Sequence, residues 1–546
     1  MTYTIEKVTT LIGARRYGDN DTNIGFILTD SRSLCFPEET LFFALKSERN
    51  DGHNYIPELY RRGVKNFVVT DVPKGYASDY PGANFLKVVN TLEALQRLAE
   101  RHRDEFNIPI VGITGSNGKT MVKEWLYQLL SPSMFVTRSP RSYNSQIGVP
   151  LSVWLMNEQT QVGVFEAGIS QPGEMLALRD IIQPTIAVLT NVGSAHQENF
   201  SSLEEKCREK LILFHDAETV VYDGDDELIT KVVAEYPDYK GEKLFWSLKN
   251  PEAPFYVKNI EKQQSVSVIT YIYKGEIDSF SIPFIDDASI QNSIISAVVA
   301  SKLGVSAEDI DKRMAKLEPV AMRLEVKVGQ HGCTLINDSY NSDINSLDIA
   351  LDFMNRRPDH RGRRHTLILS DIYQSGLSPE ALYKEVSDLA RKRGVVKFIG
   401  IGPELCQQHD AIQISEKFFF QDVEEFIKSE VFASLRDEVI LLKGARQFGF
   451  DQLTELLVQK VHETTLEVNL NAVVANLNYY RAFMKPETKL VCMIKADGYG
   501  AGAVEIAKTL QDHRVDYLAV AVADEGVTLR KNGITSNIMI MNPEMT

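Results

Sequence analysis

One ten-residue stretch constrains this chain more than any other. Residues 111–120 read Val-Gly-Ile-Thr-Gly-Ser-Asn-Gly-Lys-Thr. The apolar run over 108–113 predicts a buried strand, and the apolar spacing over 121–130 predicts a helix, so the glycines lie in the loop between them. Backbone N–H groups and a helix start in that setting bind phosphate oxygens. The stretch therefore predicts a nucleoside triphosphate site formed by Gly115, Ser116, Asn117, Gly118, Lys119 and Thr120.

The last two residues of this loop have distinct predicted roles. Lys119 can reach the β- and γ-phosphates, and the Thr120 hydroxyl can hold Mg²⁺. The spacing departs from the strict P-loop pattern, because Ile113 stands where the first glycine is expected. The alternative is a glycine-rich turn without a ligand, which the Gly-Lys-Thr ending and the flanking strand and helix disfavour.

Length and charge restrict the class of protein. With 546 residues, three or four domains are expected. A formal net charge of −15 argues against a nucleic-acid partner, so local donors, helix starts and Mg²⁺ must attract anionic ligands. Five scattered cysteines without a CxxC pair favour a reducing cytoplasm. No apolar run has the length of a signal-peptide core near the start or of a membrane span anywhere.

Residues 1–105 precede the loop and alternate short predicted strands and helices. Two polar clusters follow strand-like runs, Asp30-Ser31-Arg32 and Asp51-Gly52-His53. An arginine with backbone donors at a strand end can grip a diphosphate. Asp-Ser-Arg is also an ordinary turn sequence, and the residues alone favour that interpretation.

Residues 106–317 alternate strands and helices around the loop, with nearly continuous apolar strands over 162–165 and 185–191. Glu166 ends the first of these and is well placed to hold Mg²⁺ near Thr120, although it could instead cap a helix or be solvated. His196 follows the second strand, where a lone histidine is more often structural than a ligand. The helix carrying Lys206, Arg208 and Lys210 looks like a solvated face.

Further along, the polar pair Gln291-Asn292 opens a helix and could face an adenine edge, although composition alone would not single it out. Residues 318–460 predict a third, doubly wound domain. Asn337–Asn341 and Lys443–Arg446 follow predicted strands there, a placement that suits a carboxylate or phosphate ligand. The basic run over 356–364 is interpreted as a solvated loop.

Taken together, four motifs resemble those of the Mur ligases. They are Thr114–Thr120, Asn144 with Gly148-Val149-Pro150-Leu151, Phe165-Glu166-Ala167-Gly168 with Pro172-Gly173-Glu174, and Asn191 with His196. The resemblance covers about residues 1–460 and implies an ATP-dependent ligase of peptidoglycan synthesis. The member it resembles most joins D-alanyl-D-alanine to a UDP-N-acetylmuramoyl-tripeptide.

The resemblance also implies roles for single residues. Metal ligands would be Thr120, Glu166, His196 and a carbamylated Lys210; catalytic residues would be Lys119, His196 and Lys210. Nucleotide contacts would come from Asn292, Arg323 and Asp338, and substrate contacts from Ser31, Arg32, Asn144, Lys443 and Arg446. Three departures from the family pattern weaken the adenine and third-domain assignments: Gln291 before Asn292, Asn337 before Asp338, and Ser342-Asp343-Ile344.

The implied reaction follows from carboxylate chemistry. A carboxylate is anionic and has no leaving group, so amines do not attack it. ATP transfers its γ-phosphoryl group to the tripeptide's terminal carboxylate, the amine of D-alanyl-D-alanine attacks the acyl phosphate, and phosphate leaves. The third domain is expected to close over the nucleotide and exclude water.

A second resemblance begins where the first ends. Residues 466–470 predict a strand, and 490–494 predict another that ends at Lys495-Ala496-Asp497-Gly498-Tyr499-Gly500. This resembles the N-terminal part of alanine racemases and implies that Lys495 forms a Schiff base with pyridoxal phosphate and that Tyr499 contacts it, although Ala501 replaces the usual histidine. About three barrel strands precede Thr546, so we expect an open barrel segment without racemase activity.

The predicted fold is α/β, a three-domain Mur ligase followed by part of a TIM barrel. The expected domains are 1–105 (UDP-sugar-binding), 106–317 (ATP-binding), 318–460 (Rossmann-like) and 463–546 (racemase part). We expect a cytoplasmic enzyme, monomeric as a ligase and dimeric through a complete racemase part. The alternatives are a folate polyglutamate ligase, which normally begins near its P-loop, and a nucleotide-binding module without activity. The residues leave open whether the tripeptide contains lysine or diaminopimelate and whether Lys210 is carbamylated.

Overall fold

The computed structural model describes most of the chain. The described residues are 2–34, 36–47, 50–140, 142–193, 199–235, 239–263, 265–318, 324–339, 342–356, 362–373, 375, 377–445, 448–459, 468–485 and 487–542. Within them, no helix combines the length and the apolar character that crossing a membrane requires.

The first unit is a five-stranded sheet with helices on both faces. Its elements are β1 (Tyr3–Thr4), α1 (Ile5–Leu11), β2 (Arg15–Tyr17), β3 (Asn23–Ile24), β4 (Phe26–Leu28), β5 (Thr40–Phe43), α2 (Ile56–Arg61), β6 (Asn66–Val69), α3 (Tyr76–Asp79), β7 (Asn84–Lys87) and α4 (Thr91–Arg103). The strand order is β2-β7-β6-β5-β4, parallel except for β2, and β1 pairs with β3. Asn90 caps α4. The apolar face of α4 packs against this sheet and shares its apolar cluster with Trp154 of the next unit.

The central unit contains a six-stranded parallel sheet and a smaller four-stranded one. Its elements are β8 (Ile110–Thr114), α5 (Lys119–Leu130), β9 (Val136–Arg138), α6 (Gly148–Val153), β10 (Val162–Glu166), α7 (Glu174–Ile182), β11 (Ile186–Leu189), α8 (Leu203–Leu211), β12 (Thr219–Val221), α9 (Glu227–Ala234), β13 (Glu242–Lys243), β14 (Trp246–Ser247), β15 (Phe255–Lys262), β16 (Ser267–Tyr273), β17 (Glu276–Ile282), α10 (Asp287–Lys302) and α11 (Ala307–Met314). The large sheet runs β13-β12-β11-β8-β10-β9, and two separate apolar clusters cover its faces.

This strand order places β8 between β10 and β11. The chain therefore leaves β8 where successive strands lie on opposite sides of it, which is the switch point at which open α/β sheets bind ligands. The continuously apolar strands predicted from the sequence are buried on both faces, as a parallel sheet requires.

The third unit is another doubly wound sheet. Its elements are β18 (Glu325–Val328), β19 (Thr334–Asp338), α12 (Ile344–Arg356), β20 (Arg364–Ser370), α13 (Pro379–Lys392), β21 (Lys397–Ile401), α14 (Pro403–Gln407), β22 (Glu416–Phe420), α15 (Val423–Ile427), α16 (Glu430–Ala433), β23 (Glu438–Lys443) and α17 (Phe450–Leu457). The order is β18-β19-β23-β20-β21-β22, parallel except for β18.

The C-terminal unit has three parallel strands in the order β24-β25-β26. Its elements are α18 (Leu470–Arg481), β24 (Val491–Met493), α19 (Lys495–Gly500), α20 (Ala503–Asp512), β25 (Tyr517–Val520), α21 (Ala523–Lys531) and β26 (Asn537–Ile540). The strand predicted over 466–470 is wrong at its end, because Asn469 caps a helix that begins at Leu470; residues 466 and 467 lie outside the described part.

This last unit packs on the first and central units. Arg514 Nη2 donates to the Trp154 carbonyl at 3.1 Å, the Arg481 guanidinium lies 4.5 Å from the centre of the Phe36 ring, and Gly533 lies against Ser131. The described residues thus form four sheet units in which the last contacts the first two.

Candidate functional site

A cavity of about 480 Å³ opens at the carboxyl end of β8, between the central and third units. The loop 115–120 forms one wall, and Asp338 and Lys443 of the third unit face it. Asn144, Lys210 and Asn292 also line this cavity. The structure therefore brings together residues that are up to 328 positions apart and that the sequence analysis selected from separate motifs.

Two glycines give the loop its shape. Gly115 has φ +145° and Gly118 has φ +83°, conformations that side chains rarely adopt. A Cβ at Gly115 would overlap the Thr190 hydroxyl, and one at Gly118 would overlap the Asn292 amide. These positions need glycine because of both backbone angle and space.

Asn191, two residues beyond the neighbouring strand β11, holds the loop in place through two hydrogen bonds. Asn117 N donates to Asn191 Oδ1 at 3.0 Å, and Ser116 N donates to the Asn191 carbonyl at 2.9 Å. Lys119 Nζ folds back over the loop and donates to the carbonyls of Gly115 at 2.7 Å and Ser116 at 3.1 Å. The ammonium group is thereby held beside the loop, where it can contact the oxygens of a bound phosphate group.

Thr120 and Glu166 meet at the same sheet edge. Thr120 Oγ1 lies 3.2 Å from Glu166 Oε2, which also accepts from Asn144 Nδ2 at 3.3 Å. Glu166 is fully buried at the end of β10. A hydroxyl and a carboxylate are the hard oxygen donors that Mg²⁺ prefers, so this pair fits the metal that the sequence predicted.

Lys210 corrects one prediction made from the residues alone. The helix α8 is not a simple solvated face, because Lys206 and Lys210 are buried and only Arg208 of the three cations is exposed. Lys210 Nζ donates to the Gly115 carbonyl at 3.1 Å, across 95 positions of sequence. Burial, and then the nearby charges of Lys119 and Lys206, hold the pKa of Lys210 well below its usual value.

The third unit contributes an ion pair to the cavity. Lys443 Nζ lies 2.6 Å from Asp338 Oδ2, and both side chains are buried at the ends of the paired strands β19 and β23. Asn292, near the start of α10, is buried with its Nδ2 3.8 Å from Met121 Sδ. Gln291 beside it also lines the cavity.

Several predicted residues lie outside the described part of the chain. These are His196, Arg323 and Arg446, together with Tyr340 and Asn341 of the third-unit motif. Their predicted roles stay predictions.

The two motifs of the first unit are largely satisfied locally. Asp30 caps a short turn and pairs with Arg32 at 2.7 Å, which lowers the pKa of the Asp30 carboxyl. The Arg32 side chain is 88% exposed. Neither Ser31 nor Arg32 is among the residues that line the main cavity, while Asp51 and His53 line a separate cavity of about 320 Å³.

Lys495 directly follows the buried Ile494 that ends the β24 stretch, as the sequence predicted, but its surroundings are open. Lys495 and Tyr499 are both exposed, Tyr499 by 62%. Residues 496–499 all have positive φ, and Glu525 Oε1 accepts from the Ala496 N–H at 2.6 Å. The position of Lys495 suits a Schiff base, but these two exposed side chains do not by themselves enclose a cofactor.

Sequence reasoning missed Lys123. It lies on α5, is fully buried, and forms an ion pair with Glu166 Oε1 at 3.2 Å. The available signal was weak: a lysine one helical turn before the apolar residues Leu126 and Tyr127.

Comparison with known proteins shows which families and relatives this chain is similar to. The family model of the Mur ligase middle domain matches residues 113–300, and that of the alanine racemase N-terminal domain matches residues 468–546. A UDP-N-acetylmuramoyl-tripeptide–D-alanyl-D-alanine ligase of Bacillus subtilis is 28% identical over 371 residues, covering 67% of this chain and 77% of that protein. The protein of the same name from Borreliella burgdorferi is 26% identical, covering 80% and 93%.

Solved structures agree on the fold. MurF from Acinetobacter baumannii superposes with a TM-score of 0.72 at 22% identity, covering 84% of this chain and 99% of that one. MurF ligase from Thermotoga maritima, in complex with ADP, gives 0.66 at 23% identity, covering 79% and 96%. The predicted fold class, a multi-domain α/β Mur ligase fold followed by part of a racemase barrel, is confirmed.

Proposed function

We propose that this chain, in which a Mur ligase middle domain precedes an alanine racemase N-terminal domain, is an ATP-dependent ligase of peptidoglycan synthesis. It joins D-alanyl-D-alanine to UDP-N-acetylmuramoyl-tripeptide, the reaction named for its curated relatives. One observation carries the proposal. Lys119 and Thr120 of the central unit face Asp338 and Lys443 of the third unit across one cavity, and Glu166 Oε2 lies 3.2 Å from Thr120 Oγ1.

The reaction needs a carboxylate to become an acyl donor. A carboxylate oxygen of the tripeptide attacks the γ-phosphorus of ATP, the bond to the β–γ bridging oxygen breaks, and ADP leaves. The D-alanyl-D-alanine amine then attacks the acyl carbon, loses a proton, and expels inorganic phosphate. The backbone N–H groups of the loop and Lys119 stabilise the phosphoryl oxygens through both steps.

Thr120 Oγ1 and Glu166 Oε2 are the described residues that would hold Mg²⁺, with His196 and a carbamylated Lys210 as the further ligands implied by the family resemblance. When bound, Mg²⁺ neutralises charge on the nucleotide phosphates. The fit rests on two oxygen donors 3.2 Å apart at a buried sheet edge.

The environment of Lys210 supports its carbamylation. A lysine attacks carbon dioxide only as the neutral amine, forming an N–C bond and releasing one proton. Because burial and neighbouring cations lower the pKa of Lys210, the neutral amine is more available at pH 7 than it is for an ordinary lysine. The product is an anion beside Lys119 and Lys206, which favours its formation.

Substrate contacts complete the proposal. Asn144 and Lys443 line the cavity, where they can bind the tripeptide carboxylate or the incoming dipeptide, and Asn292 and Asp338 can bind the nucleotide. Ser31, Arg32, Arg323 and Arg446 keep the roles implied by the family resemblance. The proposed domains are residues 1–105, 106–317, 318–460 and 463–546.

The wider assignments follow the same reasoning. The free thiols Cys207, Cys333, Cys406 and Cys492 favour a reducing cytoplasm. We propose a monomeric ligase. Pyridoxal phosphate, which supplies an electron sink for carbanions, belongs to a complete racemase part, with Lys495 as its attachment point and the dimer contact in that part.

The decisive experiment measures ADP release with UDP-N-acetylmuramoyl-tripeptides containing lysine or diaminopimelate, each with and without D-alanyl-D-alanine. We expect release that requires both peptides, and the preferred tripeptide identifies the third residue. ADP release with a folate and glutamate instead would favour the folate ligase alternative. ATP binding without release under any condition would favour the non-catalytic module.

A further inference from the structure

Lys123 is an unusual residue in the ATP-binding unit. Its side chain is fully buried on α5, one helical turn beyond Lys119 and three residues beyond Thr120. A buried ammonium group is costly unless charged or polar partners surround it. Its contacts therefore indicate what it is there to hold.

Three oxygen atoms of the described residues lie within 3.2 Å of the Lys123 ammonium group. Nζ lies 3.2 Å from Glu166 Oε1 and 2.9 Å from Glu124 Oε1, and it donates to the Ser139 carbonyl at 2.9 Å. The Ser139 hydroxyl accepts from the Glu166 N–H at 3.1 Å. Lys123 and Ser139 thus hold Glu166 from two sides.

A chain of alternating charges keeps Lys123 in place. Glu124 Oε2 pairs with Arg138 Nε at 3.1 Å, and the Arg138 guanidinium lies 3.6 Å from the centre of the Tyr127 ring. Because Glu124 is held on its far side, Lys123 has fixed partners on both sides. The four charges of Glu166, Lys123, Glu124 and Arg138 sum to zero.

The two oxygens of Glu166 consequently have different surroundings. Oε1 faces Lys123 in an ion pair and accepts no hydrogen bond of good geometry from the described residues. Oε2 faces Thr120 Oγ1 and Asn144 Nδ2, on the side of the cavity. Only Oε2 is directed toward the proposed cation.

We propose that Lys123 is a positioning residue that restricts Glu166 to coordination through one oxygen and thereby favours Mg²⁺ over Ca²⁺. Mg²⁺ requires near-ideal octahedral geometry and short metal–oxygen distances, whereas Ca²⁺ accepts both oxygens of one carboxylate at longer distances. Holding Oε1 on Lys123 removes the arrangement that suits Ca²⁺. This inference rests on the proposed ATP site.

The test measures cation affinity at equilibrium. Mn²⁺ bound to the enzyme–ADP complex is followed by electron paramagnetic resonance and displaced by Mg²⁺ or Ca²⁺, in the wild type, in Lys123→Met and in Lys231→Met, which removes an exposed lysine of α9. Loss of the lysine charge should raise the affinity for both cations, so the ratio isolates geometry. We expect the Mg²⁺ to Ca²⁺ affinity ratio to fall about tenfold in Lys123→Met and to stay within twofold of the wild type in Lys231→Met.

The outcomes separate the two proposals. An unchanged ratio in folded Lys123→Met overturns the positioning role, whereas failure of the wild type to bind Mn²⁺ with ADP overturns the ATP site itself. If Lys123→Met does not fold, a crystal structure of the wild type with Mg²⁺ and ADP decides. It should show the metal on Oε2 while Oε1 keeps its ion pair with Lys123 Nζ, which is 3.2 Å long here, and coordination by both oxygens would refute the inference.

Discussion

Two lysines of this chain follow the carboxyl end of a parallel strand, and only one of them lies in an enclosed site. Lys119 follows β8, which has β10 and β11 on its two sides, whereas Lys495 follows β24, at the edge of its three described strands. The residues around Lys119 come from β11, α8, α10 and the third unit. Around Lys495, Glu525 contacts the adjoining backbone and the lysine itself is exposed.

The comparison shows that a motif at a strand end forms an enclosed site where neighbouring elements of the fold cover it. Both segments need residues with positive φ, yet the loop at Lys119 uses glycines for this, and residues 496–499 use Ala496, Asp497 and Tyr499 as well as one glycine. A central strand gives its final residue walls on both sides, while an edge strand leaves one side open. Four of the five predictions that follow test this contrast, and the one on His102 tests the packing of the ligase part.

Lys119→Ala should reduce ADP release about 1,000-fold, because it removes the cation that stabilises the transferring phosphoryl group. Lys495→Ala is the matched variant and should change the same assay less than twofold, since that residue lies on another sheet. The measurement is the coupled ADP-release rate with both peptide substrates. Near-normal turnover by Lys119→Ala would remove the basis for the contrast.

Acid should destabilise the ligase part through His102. The buried ring lies 2.9 Å from Tyr3 Oη and 3.1 Å from the Met156 carbonyl, and burial lowers its pKa from 6.5 to about 4. Protonation then favours the unfolded chain. The contribution of neutral His102 to the free energy of unfolding is fully present above pH 6.5. The free energy should fall by on the order of 3 kcal/mol as the pH drops to 4.

Urea unfolding followed by tryptophan fluorescence checks this, because Trp125, Trp154 and Trp246 all lie in the central unit. Other groups titrate in the same range, so the quantity of interest is the difference between the wild type and His102→Gln. The variant should show the shallower pH dependence. Equal slopes would mean that His102 is not the acid-sensitive group.

Lys210→Ala should slow ADP release 10- to 100-fold, as loss of a metal-supporting group does, and short carboxylates such as acetate should restore part of the rate. Arg208→Ala, on the exposed side of the same helix, should stay within twofold of the wild type. A ¹³C carbamate signal after growth of the enzyme in ¹³C-bicarbonate gives independent evidence. Its absence, together with no rescue, contradicts carbamylation.

Gly118→Ala should lower the free energy of unfolding by about 2 kcal/mol, from the left-handed backbone and from overlap with Asn292. Gly275 has the same φ of +83° with open space around its Cβ position. Gly275→Ala should therefore lower the free energy of unfolding by about 1 kcal/mol less than Gly118→Ala does. Urea unfolding measures both, and equal losses would show that the cavity wall adds nothing to the backbone effect.

Ala496→Gly should stabilise the C-terminal unit by less than about 1 kcal/mol, because glycine accepts the φ of +52° without a clash. Ala507→Gly, within the helix α20, should have the opposite sign. Hydrogen exchange of residues 503–540 reports on this unit. Destabilisation by Ala496→Gly would mean that its side chain makes contacts that compensate for its backbone angle.

Much of the fold could be predicted because parallel strands and amphipathic helices have strong local patterns. The strand predicted over 108–113 is observed at Ile110–Thr114, and the helix predicted over 121–130 at Lys119–Leu130. The strand predicted over 466–470 is wrong over its described residues 468–470, because Asn469 is also a good helix cap and an alternating pattern over five residues cannot distinguish the two.

The site was less accessible to sequence reasoning, because its contacts join distant positions. Lys210 looks solvated along its own helix, and its burial beside the Gly115 carbonyl is seen only in the folded structure. Lys123 has no distinctive motif of its own, and its role depends on Glu166, which is 43 residues away. The resemblance to Mur ligases supplied Lys210, whereas the packing of β10 against α5 identifies the role of Lys123.

The packing of the C-terminal unit has a mechanical consequence. Gln459 belongs to the third unit, where its N–H donates to the Val328 carbonyl, while the unit that begins near Val468 rests on the first two units. Nine peptide links join these positions and can span at most about 30 Å. Any swing of the third unit away from the nucleotide is therefore limited by a covalent connection that a ligase without such an extension would lack.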